Sequence, residues 1–380
     1  MIHLRRPTLM LSLSLLLLAP RAQAQSITTP PSGDNQKCTV IQGIGLVSVR
    51  IDYSSPNVHS PTGEDRTGHI WGELVPYGLA DITYNDCKEC PWRAGANENT
   101  VFTVSHDVLI NGQPLKAGAY GLHMIPGKDE WTILFNRHSE GWGSFFYDPK
   151  LDVLRVQVKP TKSDYHEWLT YEFDDRETDH ATAILKWENL QIPFTVQVPN
   201  IQELYFERIS SELRGAKGFQ SVDLVAGSQF CMQNKFHLDT AMLWAQKAVT
   251  ATGAGVENFN TISNLALAQM ANGKAEESAQ TLDRALQMPD ASAPAVHQLG
   301  RQLQGAGRPK EALRVFEGNF KRFKGVWPTP FGLARGYEGV GDLPRAIAAA
   351  KLALPKAPDE ANRKNIQGFI ERLQKKGKAS

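Results

Sequence analysis

The chain of 380 residues carries 41 Lys and Arg against 40 Asp and Glu, so its formal net charge is +1. This balance provides no strong electrostatic field for nucleic acid or an acidic membrane surface, and no nucleic-acid partner is expected. The length fits two domains, or one domain joined to a repeat array.

The first residues have the pattern of a secretory leader. Two arginines precede an apolar stretch at 9–19, and the triplet Ala-Gln-Ala then ends at Ala24. The pattern predicts a signal peptide at 1–24, cleaved before Gln25, and a disordered linker at 25–37. Because the apolar stretch is shorter than the roughly 20 residues that cross a membrane, we expect a secreted or periplasmic protein without membrane insertion after signal cleavage.

Residues 38–199 have the composition of a β domain. Val, Thr, Ile and aromatic residues form short runs separated by Gly, Pro, Asn and Asp, which is typical of strands and turns. Asn111 and Gly112 lie between apolar residues and predict a tight hairpin, because both turn positions need positive φ. About nine or ten short strands without helical spacers predict an antiparallel β-sandwich or jelly-roll-like domain.

The hydrophobic period changes after residue 199. An apolar stripe at four-residue spacing predicts a connecting helix over 200–217, with Asn200 as its N-cap. Beyond it, glycines recur every 34 positions at Gly273, Gly307 and Gly341, which is the tetratricopeptide (TPR) pattern of two helices per repeat. The predicted elements are then a degenerate TPR-like hairpin at 218–258, three TPR repeats over 259–360, and a capping helix with a basic tail at 361–380.

The fold class expected is therefore α+β multidomain, an antiparallel β-sandwich or jelly-roll-like domain followed by an all-α TPR solenoid. Four stretches, IWGELVPYG, WRAGANENT, AGAYGLHMIPGKDEWTILFN and WGSFFYDPKLDVLRVQVKP, resemble a bacterial family of secreted domains of unknown function. Some members carry TPR repeats behind the domain. The resemblance covers residues 38–198 and implies a fold and a localisation, but no activity.

The chain departs from the family pattern by an insertion at 79–91 that contains Cys87 and Cys90. In an oxidising compartment this pair is predicted to form a local disulfide that pins the loop. Thiol-disulfide exchange and zinc binding are alternatives, although no helix begins after the pair and a closed zinc site takes four ligands. Pairing of Cys38 with Cys231 is a further, separate hypothesis.

The segment RAGANENT is the candidate ligand-binding loop of the β domain, because small residues let the backbone pass close to a ligand. Its candidate residues, with a histidine on a nearby strand, are Arg93, Asn97, Glu98, Asn99 and His123. Alternatively, these side chains satisfy buried backbone groups at a sandwich corner while Arg93 pairs with Glu98. A minor hypothesis gives Trp142, Phe145 and Tyr147 an exposed role in stacking on a sugar or peptide.

The sequence holds no hydrolase elbow, nucleotide loop or zincin motif, and it predicts no cofactor, metal site or named reaction. The TPR array predicts a groove for a protein or peptide partner, since stacked repeats leave an extended concave surface. The candidate groove residues are Asn260, His297, Arg301, Gln304, Arg335 and Glu338. The sequence thus favours a non-catalytic binding and scaffolding protein; the alternatives are an enzyme with a pocket near RAGANENT and thiol-disulfide exchange at Cys87 and Cys90.

Overall fold

The computed structural model describes residues 34–60, 62–83, 87–324 and 326–379. The chain divides into two compact units, Met1–Gln197 and Val198–Ser380. The predicted signal peptide, and the predicted linker through residue 33, lie outside the described residues. The first strand begins at Gln36, two residues before the predicted start of the β domain.

The described part of the first unit contains ten strands. They are β1 (Gln36–Ile44), β2 (Val47–Ser55), β3 (Thr100–Val104), β4 (Val108–Ile110), β5 (Gln113–Leu115), β6 (Gly118–Ile125), β7 (Trp131–Asn136), β8 (Asp152–Val158), β9 (Thr161–Asp174) and β10 (His180–Gln197). They form a six-stranded sheet in the order β1-β2-β3-β6-β7-β8 and a four-stranded sheet in the order β5-β4-β10-β9. Neighbouring strands are antiparallel.

The two sheets pack against each other through aromatic side chains. Phe102 and Phe135 of the six-stranded sheet both lie 6.1 Å, between ring centroids, from Phe194 of β10. All three rings are almost fully buried. Each buried side chain of this size contributes about 1.5–3 kcal/mol, so this contact joins the sheets into the predicted sandwich.

The predicted hairpin between β4 and β5 is confirmed. Asn111 and Gly112 have φ angles of 46° and 80°, and Ile110 pairs with Gln113 across the turn. Both turn residues adopt positive φ, as such a two-residue loop requires.

The second unit is helical. Its described helices are α1 (Ile201–Glu212), α2 (Ser221–Asn234), α3 (Leu238–Thr250), α4 (Phe259–Ala271), α5 (Ala275–Gln287), α6 (Ala293–Gly305), α7 (Pro309–Arg322), α8 (Thr329–Gly339), α9 (Leu343–Ala353) and α10 (Glu360–Ala379). No helix in the described ranges is both long and apolar enough to span a bilayer.

The helices follow the 34-residue repeat. α5, α7 and α9 begin at Ala275, Pro309 and Leu343, which lie 34 residues apart. Small residues occupy the points where paired helices cross: a Cβ added to Gly300 of α6 would lie 2.4 Å from the ring of Phe316 in α7. A glycine is therefore needed at position 300. Together with the spacing of the helices, this close crossing confirms the TPR architecture predicted from the sequence.

The prediction that the Asn200 side chain caps α1 is wrong. Asn200 does precede the helix, but it has a φ of 52° and its side chain makes no capping hydrogen bond. The left-handed backbone at Asn200 turns the chain into α1, and this conformation suits asparagine better than most residues.

Candidate functional site

A cavity of about 450 Å³ lies in the strand-rich unit. The indole rings of Trp92 and Trp187 and the polar residues Arg93, Asn97 and Ser144 form part of its wall. Its volume falls within the roughly 300–1,000 Å³ of typical small-molecule sites.

The loop that carries Arg93 is fixed to both neighbouring strands. Trp92 exchanges two backbone hydrogen bonds of 2.8 Å with Met124 of β6, and Ala96 N donates to Ser54 O of β2 at 3.0 Å. Asn97 then turns the chain through positive φ at 56°. The candidate loop is therefore anchored at its start and in its middle, and it turns at Asn97.

Arg93 lies half-buried between a backbone segment and an aromatic ring. Its Nη1 donates to Asn97 O at 2.7 Å, and its guanidinium lies 5.0 Å from the centre of the Phe145 ring. A Cβ added to Gly143, whose φ is 61°, would lie 2.4 Å from the guanidinium carbon. Burial lowers the pKa of Arg93 from its ordinary value, and no carboxylate among the described residues pairs with it.

The predicted pairing of Arg93 with Glu98 is wrong. Glu98 bonds to Lys37 Nζ at 2.7 Å, and this hydrogen bond is the main cause of its lowered pKa. Asn99 donates from Nδ2 to His138 O at 2.9 Å, whereas its buried Oδ1 has no hydrogen-bond partner. Arg93 and Asn97 thus line the cavity, while Glu98 and Asn99 are engaged elsewhere.

His123 is a buried, neutral imidazole. Its Nδ1 lies 3.0 Å from Ser144 Oγ, and its ring makes an edge contact with Tyr147 at 5.4 Å between centroids. Burial, with the charges of Arg93 and His138, lowers its pKa to about 3. Such an imidazole is a poor general base at neutral pH, because a catalytic base works best when its pKa lies near the working pH.

Four indole rings form one cluster beside the cavity. Trp71 makes edge-to-face contacts with Trp92, Trp131 and Trp187, with centroids 5.3–5.8 Å apart. The indole N–H groups of Trp71, Trp131 and Trp187 are buried without a hydrogen-bond partner. Edge-to-face packing directs positive ring edges at negative ring faces, which stabilises the rigid back wall of the cavity.

The Cys87 and Cys90 sulfurs lie at disulfide distance, as predicted. Cys90 also exchanges two backbone hydrogen bonds with Ala80, so the end of the inserted loop is held twice. Cys38 and Cys231 are free thiols in different units, and their pairing stays a prediction. No group of three or more His, Cys, Asp or Glu in the described ranges could hold a metal ion.

The hypothesis of exposed rings in the GWGSFFYD segment holds for Trp142 but not for Phe145 and Tyr147. Trp142 and Phe146 are exposed at 53% and 48%. Phe145 and Tyr147 are half-buried: Phe145 carries the Arg93 guanidinium, and Tyr147 donates to Asp152 Oδ2 at 2.7 Å.

The helical unit has a cleft where α2, α4 and α6 meet. Two cavities of about 610 and 220 Å³ lie in it and share Gln229, Leu267 and Gln302 as lining residues. Asn260, predicted as a groove residue, lines the smaller cavity. The cleft therefore combines an apolar floor with side-chain amides.

Buried polar atoms without partners border this cleft. Asn264 is 1% exposed, and neither its Oδ1 nor its Nδ2 makes a hydrogen bond; the same is true of Ser263 Oγ. Both residues line the smaller cavity. A buried donor or acceptor without a partner costs about 1–3 kcal/mol, so these atoms gain free energy from a hydrogen-bond partner.

The other predicted groove residues lie on α6 and α8 and line neither cavity. Gln304 donates to Arg335 O at 2.7 Å, and Glu338 pairs with Arg372 of α10. His297 is half-buried with an unpaired Nδ1; burial, helped by Arg335 and Arg301, lowers its pKa to about 4. Arg301 is exposed.

The sequence did not identify several residues that line the cavity of the strand-rich unit and the cleft of the helical unit. Ser144 and Trp187 lie in segments far from the RAGANENT loop, and no local pattern connects them to it. Asn264 follows directly after Ser263 on α4 and faces the cleft beside Asn260. A polar residue within the largely apolar run of α4 was the available signal for it.

Residues 35–196 match the family described as "Protein of unknown function (DUF2911)". This match confirms the resemblance to a domain family of unknown function predicted from the sequence. It covers all ten strands except the last residue of β10. No curated protein matches the chain.

Among solved structures, the helical part is similar to TPR proteins. MamA protein shares 20% identity, with 41% of this chain and 82% of that chain covered and a TM-score of 0.29. YrrB, a TPR protein with an unusual peptide-binding site, shares 17% identity over 44% of this chain and 84% of that chain, with a TM-score of 0.28. PcrH from Pseudomonas aeruginosa shares 19% identity over 33% of this chain and 99% of that chain, with a TM-score of 0.25.

Proposed function

We propose that this chain, whose strand-rich part is similar to the DUF2911 family, is a secreted or periplasmic, non-catalytic scaffold that docks an extended segment of a partner protein. The docking surface is the cleft between α2, α4 and α6. The partner is polypeptide, because the cleft presents both apolar side chains and amide groups along one trough.

The observation that carries the proposal is the unpaired side chain of Asn264. Its amide has a donor and an acceptor, both buried and both without a partner. An extended peptide offers one N–H and one C=O per residue, which an asparagine amide can bind as a pair. A peptide bond that meets this amide therefore supplies both of its hydrogen-bond partners.

The surrounding side chains suit the same ligand. Leu267 and Met270 of α4 and Met232 of α2 line the larger cavity and offer apolar contact. Gln298 and Gln302 of α6 lie on the opposite wall of the smaller cavity. Methionine adapts its shape to different side chains, which suits a groove that accepts a flexible segment.

Site-specific photo-crosslinking in cells tests this proposal. A photoreactive residue placed at Asn260, within the cleft, is expected to capture a protein, and the change Asn264→Leu is expected to reduce that capture about tenfold. The matched control is Gln280→Leu, on the exposed side of α5, which is expected to leave capture unchanged.

A second crosslinking position separates specific docking from general stickiness. Leu352 on α9 is 55% exposed and lines neither cavity of the cleft. Equal capture of the same proteins from Asn260 and Leu352, or capture that Asn264→Leu leaves unchanged, contradicts docking in the cleft.

The predicted leader carries the localisation part of the proposal. N-terminal sequencing of the mature protein is expected to begin near Gln25, and fractionation is expected to recover it outside the cytoplasm. A mature protein that still carries residues 1–24 contradicts export by cleavage.

A further inference from the structure

We propose that the cavity beside Trp92 and Trp187 in the strand-rich unit binds a small organic carboxylate with a flat apolar body, and that Arg93 binds its carboxylate group. This site is separate from the cleft of the helical unit, and it does not depend on the docking proposal.

The first step is the distribution of charge around the cavity. Arg66, Asp81 and Arg93 are the charged residues among those that line it. Arg66 pairs with Glu64 at 3.1 Å, and Asp81 pairs with Lys88 at 3.3 Å. Arg93 has no carboxylate partner among the described residues, so within the described part of the cavity wall one positive charge is uncompensated.

The second step is the hydrogen bonding of Arg93. A guanidinium has five N–H donors, and among the described residues one acceptor, Asn97 O, takes a hydrogen bond from Nη1. The Phe145 ring and the Gly143 backbone cover the guanidinium and hold it in place. The remaining donors suit a carboxylate, which arginine binds through two parallel hydrogen bonds.

The third step is the form of the remaining wall. Trp92 and Trp187 are nearly parallel, at 13° between ring planes, and Val75, Pro76 and Pro91 add apolar surface. One cation without a carboxylate partner, beside two parallel indole rings, matches a monoanion with a flat body better than a phosphate ester, which carries more charge and more acceptors.

The anchoring of the loop keeps this arrangement ready for a ligand. Trp92 and Ala96 are bonded to β6 and β2, and Ser144 of the cavity wall is bonded to the buried His123. Little side-chain order has to be created on binding, which favours affinity for a small molecule.

Calorimetric titration of the full chain tests the proposal with three acids, benzoate, phenylacetate and indole-3-acetate, each beside its neutral amide. At least one acid is expected to bind at one site per chain and about 10- to 100-fold more tightly than its amide. Arg93→Met is expected to remove that difference. Arg50→Met is the matched control, because Arg50 is exposed and paired with Asp52 on β2.

A second variant keeps the test decisive if Arg93→Met does not fold. Ala96 lines the cavity, so Ala96→Phe fills it and leaves the guanidinium in place. This variant is expected to lose acid binding at least tenfold while its circular dichroism and thermal unfolding stay those of the wild type. Acids that bind no better than amides, or binding that survives both Arg93→Met and Ala96→Phe, overturns the proposal.

Discussion

The two units differ in how far apart in sequence their contacting residues lie. In the strand-rich unit, Val196 of β10 pairs with Ile110 of β4, so strands that are far apart in the sequence lie side by side in the sheet. In the helical unit, helices that pack together belong to the same repeat or to adjacent repeats, and the pairs α4 with α5, α6 with α7 and α8 with α9 repeat one arrangement. Long-range contacts must form together, whereas repeat contacts depend on adjacent repeats only.

Both units contain buried polar groups with and without hydrogen-bond partners. Ser55 Oγ donates to Leu169 O, and Tyr171 OH donates to Ala94 O, so hydroxyl groups of the strand-rich core find distant backbone partners. In the same unit, however, the indole N–H groups of Trp71, Trp131 and Trp187 have no partner, and on α4 Ser263 and Asn264 are unpaired beside the cleft. Each unit therefore has a residue with an unpaired buried polar group beside a cavity: Trp187 in the strand-rich unit and Asn264 in the helical unit.

Trp187→Ala is expected to have the largest effect. The ring is 1% exposed and contacts two other indoles, so its loss should destabilise the strand-rich unit by about 3–5 kcal/mol. Urea unfolding followed by tryptophan fluorescence measures the change. The helical signal at 222 nm should move little; equal shifts of both signals would contradict the separation of the two units.

Acid is expected to destabilise the strand-rich unit through His123. Its pKa falls to about 3 in the fold, so below pH 6.5 the unfolded chain binds a proton that the folded chain does not. Stability is therefore lost as the pH falls from about 6.5 towards 3, by up to about 1.4 kcal/mol per pH unit.

Urea unfolding at pH 7, 6, 5 and 4 measures this slope. The control His123→Asn removes the titrating ring and keeps a hydrogen-bonding group near Ser144. An unchanged slope in His123→Asn would assign the acid sensitivity to another group.

Glycine-to-alanine changes within α6 are expected to act in opposite directions. Gly300→Ala forces a Cβ against Phe316 and should destabilise the helical unit by about 1–3 kcal/mol. Gly305→Ala meets no atom within 4 Å and should stabilise it by about 0.5–1 kcal/mol through helix propensity. Urea unfolding at 222 nm compares the two, and equal signs would contradict the crossing geometry.

The smallest expected effect on stability is that of Asn264→Leu. It removes an unpaired buried amide, so the helical unit should keep its stability or gain up to about 1 kcal/mol. Asn99→Leu in the other unit breaks the bond to His138 O and should cost about 1–3 kcal/mol. A large loss from Asn264→Leu in urea unfolding would show that its amide is paired.

The helical unit was largely predictable from sequence because its signals are local. Gly273, Gly307 and Gly341 have φ angles of 72–84° at the turns between paired helices, so their spacing reports the architecture directly. The hairpin at Asn111 was predictable for the same reason, since two adjacent residues determine the turn.

The cavity of the strand-rich unit was not predictable in detail because its parts come from distant segments. Arg93 meets Gly143 and Phe145 about 50 residues later in the chain, and Trp187 comes from β10. Sequence reasoning found Arg93 and Asn97 from their loop. It had no means to learn that Glu98 turns to Lys37 instead of Arg93.

The constant interval between α5, α7 and α9 has an evolutionary consequence. Duplication or deletion of one 34-residue segment preserves the packing of its neighbours, since each junction is built alike. The length of the helical array can thus change by one 34-residue repeat at a time. The β-sandwich domain, with its cavity beside Arg93, is unaffected by such a change.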